Sequence, residues 1–277
     1  MNIARVLVIA GSDSGGGAGI QADIRTVTML GGHPMTAVTA ITAQNTLGVS
    51  AIEVVSVDMV LAQIDAVASD IGVDAVKIGM IGSPATAHAV AERLAAMDEV
   101  PIVFDPVMIA SSGSALADDA TIAAFDRLMR IATVVTPNAP ELAALTGLPV
   151  AGFEGAAAAA MRLFESHGCA VLAKGGHLPP VERGGKAMVG DLLIHEGAAV
   201  EYWNERLETR HDHGTGCTLA SGIATGLAAG LALQLAVDRA RDYLRAALAA
   251  APGLGAGHGP MGHALGRVPF DVMTGMG

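Results

Sequence analysis

Short apolar runs alternate along this chain with longer stretches whose apolar positions recur every three or four residues. Residues 5–10, 35–41, 75–80, 102–105, 133–136 and 170–173 are runs of small and branched apolar side chains of strand length. Between them, 21–30, 59–71, 85–97, 119–130, 139–146 and 155–166 carry helical spacing, and Gly31-Gly32 marks the first stop. Residues 189–195 and 199–203 pattern as a hairpin around Glu196-Gly197, and 218–235 and 237–250 read as the last two helices. Strands that are apolar throughout, rather than alternating, are covered on both faces. The pattern therefore predicts an α/β fold built on a mostly parallel sheet, as one domain over 1–277.

Composition sharpens this picture. The chain has 277 residues, 52% hydrophobic, 16% charged and only 3% aromatic, so its core must be made of Ala, Val, Leu, Ile and Gly. A net charge of −11 argues against nucleic acid and anionic membrane as partners. It leaves nucleotides open, because local N–H groups and a metal can handle their phosphates. Two cysteines give no disulfide framework, and Asp13 interrupts any secretory apolar run, so a reducing cytoplasm is expected. Residues 217–237 carry no charge and are long enough to span a bilayer, but they are mostly Ala, Gly and Thr. Gly222, Gly226 and Gly230 recur every four residues, which suits a helix lying close against a sheet rather than a membrane span.

Sites on such sheets lie beyond the carboxyl ends of the strands. The stretch His213-Gly214-Thr215-Gly216-Cys217-Thr218 is a glycine loop opening a helix. Free N–H groups and the helix dipole make that end an anion cradle, with the Cys217 thiol inside it. The helix start is expected to lower the thiol pKa. The first glycine loop, 11–19, loosely matches a dinucleotide fingerprint, but the next strand ends Thr42-Ala43-Gln44-Asn45 without the acid that would hold a ribose. No P-loop is present. Asp13 and Asp23 can take hydrogen bonds from a small ligand, or serve turns and caps. Only three of the sixteen Lys and Arg residues are lysine, and Lys77 and Lys174 both end predicted strands. Each is a phosphate contact or a snorkelling side chain. Asn138-Ala139-Pro140-Glu141 has good helix-start chemistry, and Glu141 with Asp105 can position hydrated Mg²⁺.

Seven blocks occur in order: Gly11-Ser12-Asp13 through Asp23, Thr42 through Thr46, Lys77 through Met80, Asp105 through Met108, Thr136 through Glu141, Lys174 through His177, and His213 through Thr218. Together they resemble the hydroxymethylpyrimidine/phosphomethylpyrimidine kinases of thiamin biosynthesis, in the ribokinase-like superfamily. The resemblance covers nearly the whole chain. It implies a three-layer α/β/α fold and a homodimer. It also implies ATP- and Mg²⁺-dependent phosphorylation of 4-amino-5-hydroxymethyl-2-methylpyrimidine and then of its monophosphate. By the same resemblance Gln44 holds the pyrimidine with Asp23, Gly11, Met80 and Val107. Cys217 stands where sugar kinases carry an aspartate base, and Gly214, Thr215 and Gly216 complete the anion hole. Lys174, Lys77 and Asn138 fall to ATP and phosphate, and Asp105 and Glu141 to the metal. Two positions depart from the common pattern: Ser111 where many relatives have Lys, and Asp212 where Thr is usual. Both weaken the expected phosphate field. A pyridoxal kinase is the nearest rival reading, and a non-catalytic pyrimidine sensor a rival of another class.

Overall fold

The apolar runs lie side by side in a single ten-stranded sheet of the computed structural model, which describes residues 3–97, 99–109 and 116–267. The strands are β1 (Arg5–Asp13), β2 (His33–Asn45), β3 (Gly48–Val54), β4 (Ala75–Ile78), β5 (Ile102–Phe104), β6 (Val134–Val135), β7 (Ala170–Ala173), β8 (Val181–Arg183), β9 (Lys186–His195) and β10 (Ala198–Glu205). Their order is β10-β9-β7-β6-β5-β4-β1-β2-β3, with β8 paired to β9. From β7 through β2 the neighbours run parallel; β3, β8, β9 and β10 join antiparallel at the two edges.

The helices are α1 (Gly19–Met29), α2 (Val57–Asp70), α3 (Pro84–Ala95), α4 (Asp119–Ile131), α5 (Ala139–Thr146), α6 (Phe153–His167), α7 (Thr215–Ala228) and α8 (Leu233–Ala249). Side chains alternate across a strand, so β1 feeds two cores at once. Leu7 and Ile9 join Val60, Val90, Phe125 and Leu163 on one face; Val6 and Val8 join Val27, Ile223 and Val237 on the other. Helices thus cover both faces, the three-layer arrangement of a ribokinase-like α/β protein. In place of many aromatics, the first core has one edge-on pair, Phe104 and Phe125, with centroids 5.2 Å apart.

The chain departs from the sequence reading in three places. The helix expected over 218–235 ends at Ala228. Gly230 adopts φ 79°, and Leu231 N donates to Gly226 O while Gly230 N donates to Leu227 O, a closure that needs a left-handed residue. The glycine stripe faces α8 rather than the sheet: Gly222 meets Ala240 and Gly226 meets Ala236, where an added Cβ would sit within 3 Å of the opposing one. Two strands went unread. β3 is largely exposed and β8 is three exposed residues, so neither carries an apolar run.

Both strands that lead into the site are irregular at their carboxyl ends. The β1–β2 register shifts between Ala10 and Ser12, and the β2–β3 register shifts between Ala43 and Gln44. Such irregularities re-aim side chains. Here they flank Gly11 and Gln44.

Candidate active site

A cavity of about 780 Å³ opens above the carboxyl ends of the parallel strands. Gly11, Gln44, Met80, Asp105, Val107, Asn138, Glu141, Lys174, Gly214, Thr215, Gly216 and Cys217 all line it. The topology brings seven separated blocks to one edge of the sheet.

The loop after β1 is organised by a carboxylate at the cavity edge whose oxygens are both taken up by protein hydrogen bonds. Asp13 is buried; its Oδ1 accepts from Gly15 N (2.8 Å), and its Oδ2 from Gly17 N (2.9 Å), Ala18 N (2.8 Å) and His213 Nε2 (3.0 Å). Burial alone would raise this carboxyl, but the bonds from His213, Ala18 and Gly15 outweigh it and hold Asp13 below the usual carboxylate range. The turn-forming alternative for Asp13 is therefore the one the chain uses.

At the other side stands the start of α7. Gly214 precedes it at φ 87°, and a Cβ there would lie 2.0 Å from Gly17 O, so no other residue fits. The first intrahelical bond is Thr218 N to Gly214 O, and Thr215 N turns to Asp212 O. Helix geometry leaves the N–H groups of Gly216 and Cys217 without helical acceptors. The Cβ position of Gly216 lies 3.2 Å from both Asp105 Oδ2 and Lys174 Nζ, which places the cradle directly against the charged wall.

Cys217 corrects the expectation of a lowered thiol pKa. Burial is the largest influence, and the nearby Asp23 and Asp105 carboxylates add to it. The Lys77 ammonium and the Gly19 N–H oppose them but do not win, and the thiol is pushed up to about 11.

The charged wall is a triad of Asp105, Lys174 and Glu141. Lys174 Nζ donates to Asp105 Oδ1 (2.7 Å) and lies 3.8 Å from Glu141 Oε2; Thr136 Oγ1 donates to Asp105 Oδ1 (2.9 Å). Burial opposes the Lys174 charge, but the two carboxylates outweigh it and raise its pKa. Glu141 is lifted by burial, eased by Lys174 and lifted again by Asp105, to about 7. Asn138 and Glu141 also cap α5 reciprocally, Glu141 N donating to Asn138 Oδ1 (3.0 Å) and Asn138 N to Glu141 Oε2 (2.7 Å). One ammonium between two buried carboxylates leaves the wall short of positive charge. Among the described residues no three His, Cys, Asp or Glu side chains are grouped to enclose a metal. Mg²⁺ needs no such cage, since it keeps several waters and uses one or two carboxylates with phosphate oxygens, so Asp105 and Glu141 fit it.

Two expected contacts lie elsewhere. Asp23 and Lys77 are completely buried behind the cavity wall, not on it. Lys77 Nζ donates to Asp23 Oδ2 (2.9 Å) and Ser221 Oγ to Asp23 Oδ1 (2.7 Å), so both carboxylate oxygens are committed inside the protein. Burial works against the Lys77 charge, and Asp23, with smaller help from Cys217 and Asp105, outweighs it and keeps Lys77 an ammonium. The pair acts on the site through its field at Cys217, without touching a ligand. Sequence spacing placed Lys77 near a strand end but could not show which way either residue points.

Of the two departures from the family pattern, Ser111 lies outside the described residues. Asp212 lines the cavity, and its Oδ1 is 2.8 Å from His258 Nδ1, so the extra carboxylate has a partner from the C-terminal segment. The sequence reading quoted His213 in its last block but gave it no contact; its Nε2 lies 3.1 Å from Gln44 Nε2 and 3.0 Å from Asp13 Oδ2. That reading missed the outer cavity, where Arg241 on α8 bonds Asp191 and Asn204. His213 had a visible signal in its place beside Gly214. Arg241 had none, being one arginine on an amphipathic helix.

The family model for phosphomethylpyrimidine kinase matches residues 13–262. The hydroxymethylpyrimidine/phosphomethylpyrimidine kinase of Rhizobium meliloti is 49% identical over 219 residues, covering 78% of this chain and 80% of that one. The crystal structure of phosphomethylpyrimidine kinase from Clostridium difficile superposes with a TM-score of 0.75 at 36% identity, over 88% of this chain and 98% of the other. The pyridoxal kinase of Staphylococcus aureus, solved with AMP-PCP and pyridoxal, superposes with a TM-score of 0.85 at 29% identity, covering 97% of this chain and 96% of that one. Matched by the family model over residues 13–262 and by relatives over most of its length, the chain belongs to the phosphomethylpyrimidine kinase family, kinases of thiamin biosynthesis on a ribokinase-like fold.

Proposed function

We propose that this chain, as one kinase domain acting in a homodimer in the cytoplasm, uses ATP and Mg²⁺ to phosphorylate 4-amino-5-hydroxymethyl-2-methylpyrimidine. It then phosphorylates the monophosphate to the diphosphate. The observation that carries the reading is that one cavity holds three parts: Gln44 with the Gly11 and Met80 walls, the N–H cradle of Gly214–Cys217, and the Asp105–Lys174–Glu141 wall. Its volume, about 780 Å³, suits a small ring and a nucleotide together. No helix among the described residues is long and apolar enough to cross a membrane.

Phosphoryl transfer is largely positioning and charge stabilisation, and each part supplies one or the other. The Gln44 amide holds the aminopyrimidine edge, donating and accepting together, between Gly11, Met80 and Val107. Gly216 and Cys217 N–H groups face the transferring phosphoryl oxygens. Lys174 and Asn138 lie where polyphosphate would pass. Asp105 and Glu141 are the residues that would hold Mg²⁺, which would supply positive charge against the phosphates. In the first step the nucleophile is a hydroxyl, and Cys217, once ionised, takes its proton. In the second it is a phosphate oxygen, already anionic, and needs no base.

ATP consumption with the hydroxymethylpyrimidine, its monophosphate and pyridoxal tests the reading. Turnover of both pyrimidines above pyridoxal supports it. Preference for pyridoxal, or binding without turnover, replaces it with one of the two rivals.

A further inference from the structure

Gln44 is placed between two partners that together dictate which way its amide must face. As placed, Gln44 Nε2 lies 3.1 Å from His213 Nε2 on one side and Gln44 Oε1 lies 3.1 Å from Thr42 Oγ1 on the other. The amide oxygen and nitrogen have nearly the same shape, so the hydrogen bonds around them decide their order.

His213 Nε2 also lies 3.0 Å from Asp13 Oδ2, which already accepts from Gly17 N and Ala18 N. A carboxylate held below the usual range only accepts. Nε2 must therefore carry a hydrogen, and what faces it at 3.1 Å has to be an acceptor. On the opposite side, Thr42 Oγ1 lies 2.9 Å from Ser12 O, a carbonyl that can only accept. The one hydroxyl hydrogen goes there, which leaves Thr42 Oγ1 to accept from Gln44. Both ends agree. Turning the placed amide over puts its oxygen toward His213 and its NH₂ toward Thr42; with the one Nε2 hydrogen shared between Asp13 Oδ2 and Gln44 Oε1, every pair from Asp13 to Ser12 is then complementary. The reverse order sets N–H against N–H and leaves Gln44 Oε1 competing with Ser12 O for one hydrogen.

We propose that the Asp13–His213 pair is a positioning device that fixes the Gln44 amide, and through it the direction in which the substrate ring enters the site. This rests on the pyrimidine kinase reading above. Around a 4-amino-5-hydroxymethylpyrimidine the order is ring N3, then the 4-amino carbon, then the carbon bearing the hydroxymethyl arm. Gln44 NH₂ on the Thr42 side donates to N3, and Gln44 Oε1 on the His213 side accepts from the 4-amino group. The arm then continues past the His213 side, toward Gly214–Cys217 and the N–H cradle. An amide turned the other way would direct the same arm away from α7. His213 is thus a specificity-determining residue that contacts the reader of the base, not the reacting atoms.

Two measurements test this. In ¹⁵N-labelled, substrate-free protein, the side-chain amide hydrogens of Gln44, assigned by their loss in Gln44→Ala, are expected to show cross-peaks to the Thr42 side chain. Cross-peaks instead to the His213 ring would overturn the assignment, and this result is independent of what the enzyme phosphorylates. The second measurement compares kcat/KM for the 4-amino substrate and its 4-oxo counterpart, whose N3–H and oxygen reverse the donor and acceptor. In His213→Leu the amino-over-oxo ratio is expected to fall at least about tenfold, the scale of one mispaired hydrogen bond, because Thr42 can turn its hydroxyl to suit either order. His213→Gln keeps an N–H at that reach and is expected to keep the ratio, with the KM for ATP unchanged in both. A ratio unmoved in His213→Leu, or lost equally in His213→Gln, would remove the positioning role. If neither pyrimidine is turned over by the wild type, the functional reading fails while the cross-peaks still decide the amide order.

Discussion

Cys217 is the residue on which sequence and structure disagree most sharply, and the disagreement has a size. A thiol that titrates near 11 is thiolate in about one molecule in ten thousand at pH 7, and forming that thiolate costs about 5 kcal/mol. General base catalysis is worth about 10²–10⁴ in rate. In the ligand-free site the cost therefore cancels the benefit. If Cys217 is the base, the thiolate must be drawn out by the bound nucleotide and cation, or the first phosphorylation must gain steadily with pH. The sign follows from the chemistry. The active form is deprotonated, so kcat/KM for the hydroxymethyl substrate is expected to rise about tenfold per pH unit from 7 toward 10. The monophosphate needs no base, and its rate should lack that slope. In Cys217→Ala the slope should vanish, with the first step at high pH falling by about 10²–10⁴ and the second by far less.

Direct titration separates the cause from the kinetics. In a Cys169→Ala background only the Cys217 thiol remains, and its thiolate absorbance near 240 nm reports ionisation. A midpoint near 11 is expected without ligand, and a lower one with Mg²⁺ and a non-hydrolysable ATP analogue. A ligand-free midpoint below 9 would refute the burial reasoning. Equal losses in both steps for Cys217→Ala, with unchanged pH profiles, would refute the base and leave the backbone cradle alone.

Three further outcomes are expected. Gln44→Ala removes both halves of the base reader and should raise the pyrimidine KM about tenfold or more while sparing that of ATP, read by steady-state kinetics with each substrate varied. Lys77→Met strands the Asp23 carboxylate in the interior and should cost about 3–5 kcal/mol in urea denaturation, whereas Asp23→Leu with Lys77→Met should regain most of it; full stability in the single variant would contradict the buried pair. Glu141 titrates at about 7, and a cation competes with its proton, so the KM for MgATP should rise as pH falls below 7, by up to about tenfold per unit, and level off above. Glu141→Gln should flatten that profile, and an unchanged slope would assign it to another group.

The fold was legible where burial on both faces wrote continuous apolar runs. The spans of α5 and β7 agree to the residue with the pattern, and β1, β2, β4, β5 and β6 sit where their runs fall. What lacked a burial signal went unread, as with β3 and β8 at the exposed edges. The end of α7 was missed for another reason: Leu231, Leu233 and Leu235 continue an apolar pattern through a left-handed break that only Gly230 marks. Site blocks were legible because glycine, Pro and isolated polar residues interrupt apolar runs at the strand ends. Orientation was not. Lys77 and Lys174 look alike in sequence, each closing an apolar strand, yet one pairs behind the wall and the other stands on it. Their partners are 54 and 69 residues away along the chain, beyond any local pattern.

The two lysines also explain why the thiol is buried in a field that disfavours its ionisation. Lys77 is fully matched by Asp23, so it offers Cys217 little net positive charge. Lys174 is shared between Asp105 and Glu141, and Asp105 is among the groups that raise the thiol. Ligand-free, the site therefore holds excess negative charge near a neutral thiol. A cation resting on the Asp105–Glu141 wall would offset the Asp105 share of what opposes ionisation of Cys217, leaving burial as the larger remaining part. The thiolate is then expected to be more populated in the loaded enzyme, and alkylation of Cys217 by iodoacetamide near pH 7.5 in a Cys169→Ala background should show it. The comparison is the labelling rate with Mg²⁺ and a non-hydrolysable nucleotide against the rate with the same nucleotide and EDTA. Faster labelling with the cation fits the coupling, and identical rates would mean that the carboxylate wall and the thiol titrate independently.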